Sequence, residues 1–380
     1  MAAARWSPVT KRIVVLLLLA IAVYVIYRAG DIVRPFLWAA VLSYVLLPLV
    51  RLIEVRVTHH RGAAAAIVFL ALLALIIGGA RLLVPLALAQ MTMFQRSLPN
   101  LIANAQNTLV GTLDQLGMTD LHPIVVGPGG LAPVDFTRNA ANFAVPVVVG
   151  FGHFLLEFLV FLIATFFLLR DWPRLISWLG RLAPRSHRHE LVPLGEQVNL
   201  LLGRYVRGQL VLIVIMWVVT TIGLTAFGVP FSFLLGFMTG VLEIIPIIGP
   251  ITAGAIASLV ALGHPNPFGW SQLIYVAAIA IMYTILRHAE DYFVIPLVIG
   301  RIVRLHPAVV IFALLGGGAL FGLIGVLLAV PVTATLRLIL IYVGAKLRDE
   351  DPYPRLEEEL AAENVAPAAG TRNIRPATHP

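Results

Sequence analysis

From Gly208 to Leu286 the chain carries a single charged residue, Glu243. A bilayer helix needs roughly 20 apolar residues, so this stretch holds several. Its punctuation falls at "FGVPF" (227–231), "IIPIIGP" (244–250) and "HPNPFG" (264–269). Proline and glycine clusters end helices, which predicts a span over 208–227, two apolar halves over 231–263 and a further span over 271–289. The two halves meet at a break that lies close to the one carboxylate.

The rest of the chain has the same character. It is 59% hydrophobic and 12% charged, against about 45–50% and about 25% in soluble domains. The fold class is therefore an all-α polytopic membrane protein, with about eight transmembrane helices when broken, re-entrant hairpins are counted. The net charge of +8 comes from Arg and Lys in short loops, where they set membrane orientation. No basic–aromatic patch accompanies them, so no nucleic-acid partner is expected. The absence of cysteine excludes disulfides and thiolate metal sites.

Spans are expected at 12–28, 33–50, 62–84 and 146–169. The first has basic flanks but no small-residue cleavage site, and reads as an uncleaved helix. "RLIEVRVTHHRG" and "RDWPRLISWLGRLAPRSHRHE" are cation-rich and belong in the cytoplasm, whereas 85–142 has Arg96 and Arg138 against Asp114, Asp120 and Asp135 and belongs outside. Leu98, Leu101, Ile102, Ala105, Leu109, Leu113 and Leu116 recur at helical steps and predict an amphipathic helix within that loop. Leu191, Leu194, Val198, Leu201 and Tyr205 predict a second one along the inner surface, within 170–204. "GPGG" at 127–130 reads as a turn.

Residues 308–343 form another apolar pair, interrupted by the glycines of "GGGALFGLIG" and expected as a second broken hairpin. The tail 344–380 is polar and cytoplasmic. Residues 1–11 lie on the same side, which requires an even number of crossings.

Non-helical backbone at membrane depth must be buried in protein or line a watery cavity, and transporters place ligand sites there. Intramembrane acids are rare and mostly functional. The candidate substrate or ion site is Glu243, Pro246, Gly249, Pro250, Glu290, Asp291 and Pro296, with a third break expected at Pro296. Gly300, Gly316, Gly317, Gly318, Gly322 and Gly325 are candidate hinge or gating positions. Glu157, Gln209 and Arg287 are candidate supports, Glu157 with His153 one turn away. Against function, Pro and Gly also serve as ordinary kinks and packing residues, and Glu290–Asp291 could be a salt-bridged helix end. No zinc-protease spacing, Gly-x-Ser-x-Gly elbow or phosphate loop occurs, so no catalytic residue, metal or cofactor is expected.

Four stretches, "RYVRGQL", "EIIPIIGPITAG", "DYFVIPLVIGRIVRLHP" and "FALLGGGALFGLIGVLLAVP", are similar to those of the autoinducer-2 exporter family. The resemblance covers about residues 12–343 and is most specific in the second half. It implies a multi-pass inner-membrane transporter and a homo-oligomer, with a pentamer as one form. Members are associated with export of autoinducer-2, a small polar sugar-like signal, and others resemble sodium(lithium)/proton antiporters. The motifs place the family's proline–glycine break on Pro246, Gly249 and Pro250, and its later motif on Asp291, Pro296, Gly300, His306 and Pro307. The expected partners are thus the lipid bilayer, a small polar solute, and protons or sodium. The expected function is export of that solute, with ion antiport or a non-transporting scaffold as alternatives.

Overall fold

A computed structural model describes Leu17, Tyr24 and residues 30–115, 117–126, 136–183, 188–245, 248–298 and 305–350, with the backbone alone over 136–154. The expected first span, "GPGG", Pro246, Gly300 and the tail beyond Glu350 lie outside the described residues. Among those described, every regular element is helical: α1 (Gly30–Ile53), α2 (Arg61–Gln115), α3 (Phe136–Leu182), α4 (Arg188–Ala226), α5 (Ser232–Leu242), α6 (Ile248–Leu262), α7 (Gln272–Ala289), α8 (Pro307–Phe321) and α9 (Leu323–Leu347). Among the described residues five helices are long and apolar enough to cross a membrane, and α5, α6 and most of α8 are shorter apolar helices. The protein is an all-α polytopic membrane protein.

Two expected boundaries are absent. The span at 62–84 and the amphipathic stretch after it form one 55-residue helix, α2, about 80 Å long at 1.5 Å per residue. The amphipathic stretch from Leu191 likewise runs without interruption into α4. Charged residues there mark where a helix leaves the bilayer, and they do not end it. Pro85 and Pro99 lie within α2 without ending it.

One end of the bundle is polar and stapled. Pro173 of α3 has no N–H for the Leu169 carbonyl. Arg61 Nη2 donates to that carbonyl at 3.1 Å, Nε to the Arg170 carbonyl at 3.0 Å and Nη1 to Glu54 Oε2 at 3.0 Å. Lys346 at the end of α9 meets Glu190 at the start of α4, Nζ to Oε1 2.8 Å, and Tyr342 Oη donates to Glu190 Oε2 at 2.7 Å. Burial raises the Glu190 carboxyl, but the bonds from Lys346 and Tyr342 outweigh it and hold the group below the ordinary range.

At the opposite end the outer half of α2 lies across the helix ends. Asn104 Nδ2 donates to the Gly263 carbonyl after α6 at 3.1 Å, Gln90 Oε1 accepts from Leu234 N in the first turn of α5 at 3.1 Å, and Phe94 packs edge-on against Phe231 at 5.3 Å. Gln272 Nε2 donates to the carbonyls of Ala261, Leu262 and His264, capping α6.

Between these ends lie two helical hairpins. The pair α5–α6 starts and finishes at the Gly263 end, and its tip reaches Gln209, in the middle of α4. The helices are 11 and 15 residues long, about 16 and 22 Å, less than the roughly 30 Å hydrocarbon thickness. The pair α8–α9 enters from the other end, because α9 runs from Ile324, clustered with Val206, past Leu194 and Leu201 to Lys346. Its turn is Gly322, at φ 62° and ψ −141°, a conformation open only to glycine. Near their tips the hairpins meet in one apolar cluster, in which Ile244 packs with Ile324 and Leu327 against Val41 and Val206.

Candidate functional site

The helical ladder of α5 ends at Leu242, and the chain turns through Glu243, Ile244 and Ile245 before α6 begins at Ile248. Gly249 N already donates to the Ile245 carbonyl at 2.9 Å, and Pro250 beside it has no N–H to extend that ladder. The turn is tight. A Cβ on Gly249 would overlap the Leu242 carbonyl oxygen, so only glycine lets the two strands of the hairpin approach this closely. Gln209 Nε2 donates to the Glu243 carbonyl at 3.2 Å, satisfying a backbone acceptor at the break.

The Glu243 side chain is buried, at 1% exposure. Facing it is the inner end of α7. Arg287 Nη1 lies 3.0 Å from Glu290 Oε2 and 3.7 Å from Glu243 Oε2, and its Nη2 lies 2.9 Å from Asp291 Oδ1. One guanidinium thus serves three carboxyls on two elements. The Glu290 side chain is also 1% exposed, whereas Arg287 is 28% and Asp291 40% exposed, so the cluster is graded from buried to exposed. Among the described residues no hydrogen-bond donor reaches the buried Glu243 Oε1, and the Glu290 carboxyl is among the groups beside Glu243. Two carboxyls facing each other bond only when a proton lies between them.

The helix carrying Arg287 does not break where expected. Residues Glu290–Val294 widen into a π-helical segment and the chain continues helically through Ile295–Val298. The wider turn accommodates Pro296, which would otherwise interrupt the ladder.

The structure therefore brings together Glu243, Arg287, Glu290, Asp291 and Gln209, with Gly249 and Pro250 building the turn beneath them. Glu157 sits on α3, which packs against α1, α2 and α4, and it is not among the groups acting on Glu243. Of the hinge glycines, Gly322 forms the second turn. Gly316, Gly317 and Gly318 stay helical within α8, and Gly317 and Gly325 pack backbone to backbone across the α8–α9 pair.

Other residues of the site were not singled out in the sequence. Gly236 and Gly240 let α5 lie directly on α4, against Thr221 and the carbonyls of Ile213 and Trp217; their four-residue spacing is the available signal. Thr239 and Tyr283, one turn from Glu243 and Arg287, share a buried hydroxyl contact of 3.0 Å, and nothing in the local sequence marks them.

Residues 13–343 match the family model described as "AI-2E family transporter". The chain is 28% identical to the "Putative transport protein YrrI" of Bacillus subtilis, over 87% of this chain and 95% of that one. It is 24% identical to the "Putative permease PerM" of Escherichia coli K12, over 87% and 92%, and 30% identical to the "Putative transport protein sll0063" of Synechocystis, over 71% and 68%. A match over nearly the whole chain, on a fold whose broken hairpins bury an acid cluster, identifies this multi-pass membrane protein as a member of the AI-2E transporter family.

Proposed function

We propose that the protein is a proton-coupled secondary transporter that exports a small polar solute of the autoinducer-2 kind across the cytoplasmic membrane. The observation that carries this reading is the pair of buried carboxyls, Glu243 and Glu290, each 1% exposed, gathered on the single Arg287 guanidinium. Three carboxyls around one guanidinium leave a deficit of positive charge, and the deepest pair is arranged to take a proton. Arg287 sits where a bound metal cation would have to sit, which favours the proton over sodium as the ion held here. The Arg61, Arg170 and Lys346 end faces the cytoplasm by its charge, and the Asn104 and Gly263 end faces outward. Both hairpins are then re-entrant from opposite sides, and they are the moving parts against α1–α4. Solute binds beside the cluster, where the Glu243 turn and the exposed edge of Asp291 offer polar groups.

The test is reconstitution of the protein in liposomes with a trapped pH dye. Addition of autoinducer-2 should drive proton movement in the wild type, and Glu243→Gln should abolish it. Proton movement driven by sodium or lithium salts alone would turn the reading to ion antiport. An unchanged rate and pH dependence in Glu243→Gln refutes the coupling role.

A further inference from the structure

The acid cluster is exposed at one edge and covered at the other. Arg287 and Asp291, 28% and 40% exposed, lie at the end of α7 away from Gln272. In the opposite direction, one turn along α5 and one turn along α7, stand Thr239 and Tyr283, which are 1% and 8% exposed. Thr239 Oγ1 donates to the Leu235 carbonyl at 2.8 Å, so its one proton is committed. The 3.0 Å contact with Tyr283 Oη must therefore run from tyrosine to threonine. A Cβ added at Gly254 of α6 would come within 3.3 Å of the tyrosine ring, so the ring lies close over this glycine. Beyond this bond the path is apolar and closed by Leu235, Ala253, Ala257 and Ile279.

We propose that the Tyr283–Thr239 hydrogen bond is the outer bolt of the acid cluster, a positioning contact that locks α5 to α7 and holds the site open to the cytoplasmic side only. It rests on the reading of Glu243 as the loading site, and it supplies what that reading lacks, the element that decides from which side the site is reached. The bond ties the one helix bearing Glu243 to the one bearing Arg287. Any movement of the α5–α6 hairpin that opens the cluster outward must break it. Its loss leaves the inner salt links intact and shifts the balance toward the outward-open form, by about tenfold for one buried hydrogen bond.

The chain has no cysteine, so a single thiol can report on the seal without removing others. Ala253→Cys places it in the apolar plug, and the probe is a membrane-impermeant methanethiosulfonate added outside right-side-out vesicles. Labelling should be slow with Tyr283 present, about tenfold faster in Tyr283→Phe and in Thr239→Val, and slow again in Thr239→Ser, which keeps the hydroxyl. Equal rates across all four, or no labelling in Tyr283→Phe and Thr239→Val, overturn the bolt. The readout needs no transported solute. A failed bolt beside intact Glu243-dependent proton movement leaves the transport reading standing. A confirmed bolt without such proton movement leaves a gated cavity and removes the coupling.

Discussion

Replacing Arg287 by methionine tests the charge balance on which the site rests. Methionine keeps much of the stem's volume and removes the one cation that meets Glu290 at 3.0 Å, Glu243 at 3.7 Å and Asp291 at 2.9 Å. The Asp291 contact is 40% exposed on its acidic side and contributes at most about 1 kcal/mol. The other two carboxyls are 1% exposed, and removing one member of a buried ion pair costs about 3–5 kcal/mol, because the partner is left without counter-charge. Glu290, at hydrogen-bond distance, carries most of that loss. Arg287→Met is therefore expected to lose about 4 kcal/mol, and Arg287→Met with Glu290→Gln to recover about half of it, since the stranded carboxyl is gone. Arg287→Lys should fall between, because an ammonium cannot span three acceptors. The assay is unfolding of the purified protein by sodium dodecyl sulfate in mixed micelles, followed by tryptophan fluorescence. A loss below about 1 kcal/mol for Arg287→Met, or a double variant less stable than the single one, would refute the convergence of these carboxyls on Arg287.

Gly249→Ala drives a methyl into the Leu242 carbonyl and should cost about 3 kcal/mol or more by forcing the hairpin tip open, an overpacking against backbone that cannot rotate away. Gly316→Ala, whose Cβ meets nothing within 4 Å, should be neutral within about 0.5 kcal/mol in the same unfolding measurement. At the Lys346 end the folded protein holds Glu190 below the ordinary carboxyl range. Its contribution is therefore present above the unfolded value near about 4.3 and lost as pH falls through the folded value. Unfolding midpoints compared at neutral and acid pH should show this loss in the wild type and a smaller one in Lys346→Met.

Local chemistry explains which parts of this architecture could be read in the sequence. The breaks at 244–250 and at Gly322 were legible because proline and glycine act on their own residue and its neighbours. Glu243 was legible because a lone carboxylate in an apolar run is costly wherever the chain goes. Helix continuity was not. Nothing ends α2 at Leu83 or separates Leu191 from Gly208, and charge at a membrane surface imitates a boundary. Pro296 misled in the opposite sense, since a π-helical turn absorbs it without ending the helix. Thr239 and Tyr283 were invisible for a third reason. Hydroxyl residues are common in membrane helices, and only the register of α5 against α7 makes this pair a contact.

That register follows from length. An 11-residue α5 reaches about 16 Å from the Gly263 end, which sets Glu243 beside Gln209. Tyr283 and Arg287 lie 11 and 15 residues into α7 from Gln272, about 17 and 23 Å along it. The two helices start at the same end, so the hydroxyl pair must lie nearer to that end than the charged one. Were α5 one turn longer, Glu243 would pass Arg287 and face the Ile324 cluster without a counter-charge. The short helix is therefore what aligns the two pairs, dry bond outside and ionic cluster inside. A transporter that must never open both ways needs its seal and its charge on the same two helices. With that arrangement, the movement that opens the acid to the side of the hydroxyl pair is the movement that unmakes the bond sealing that side.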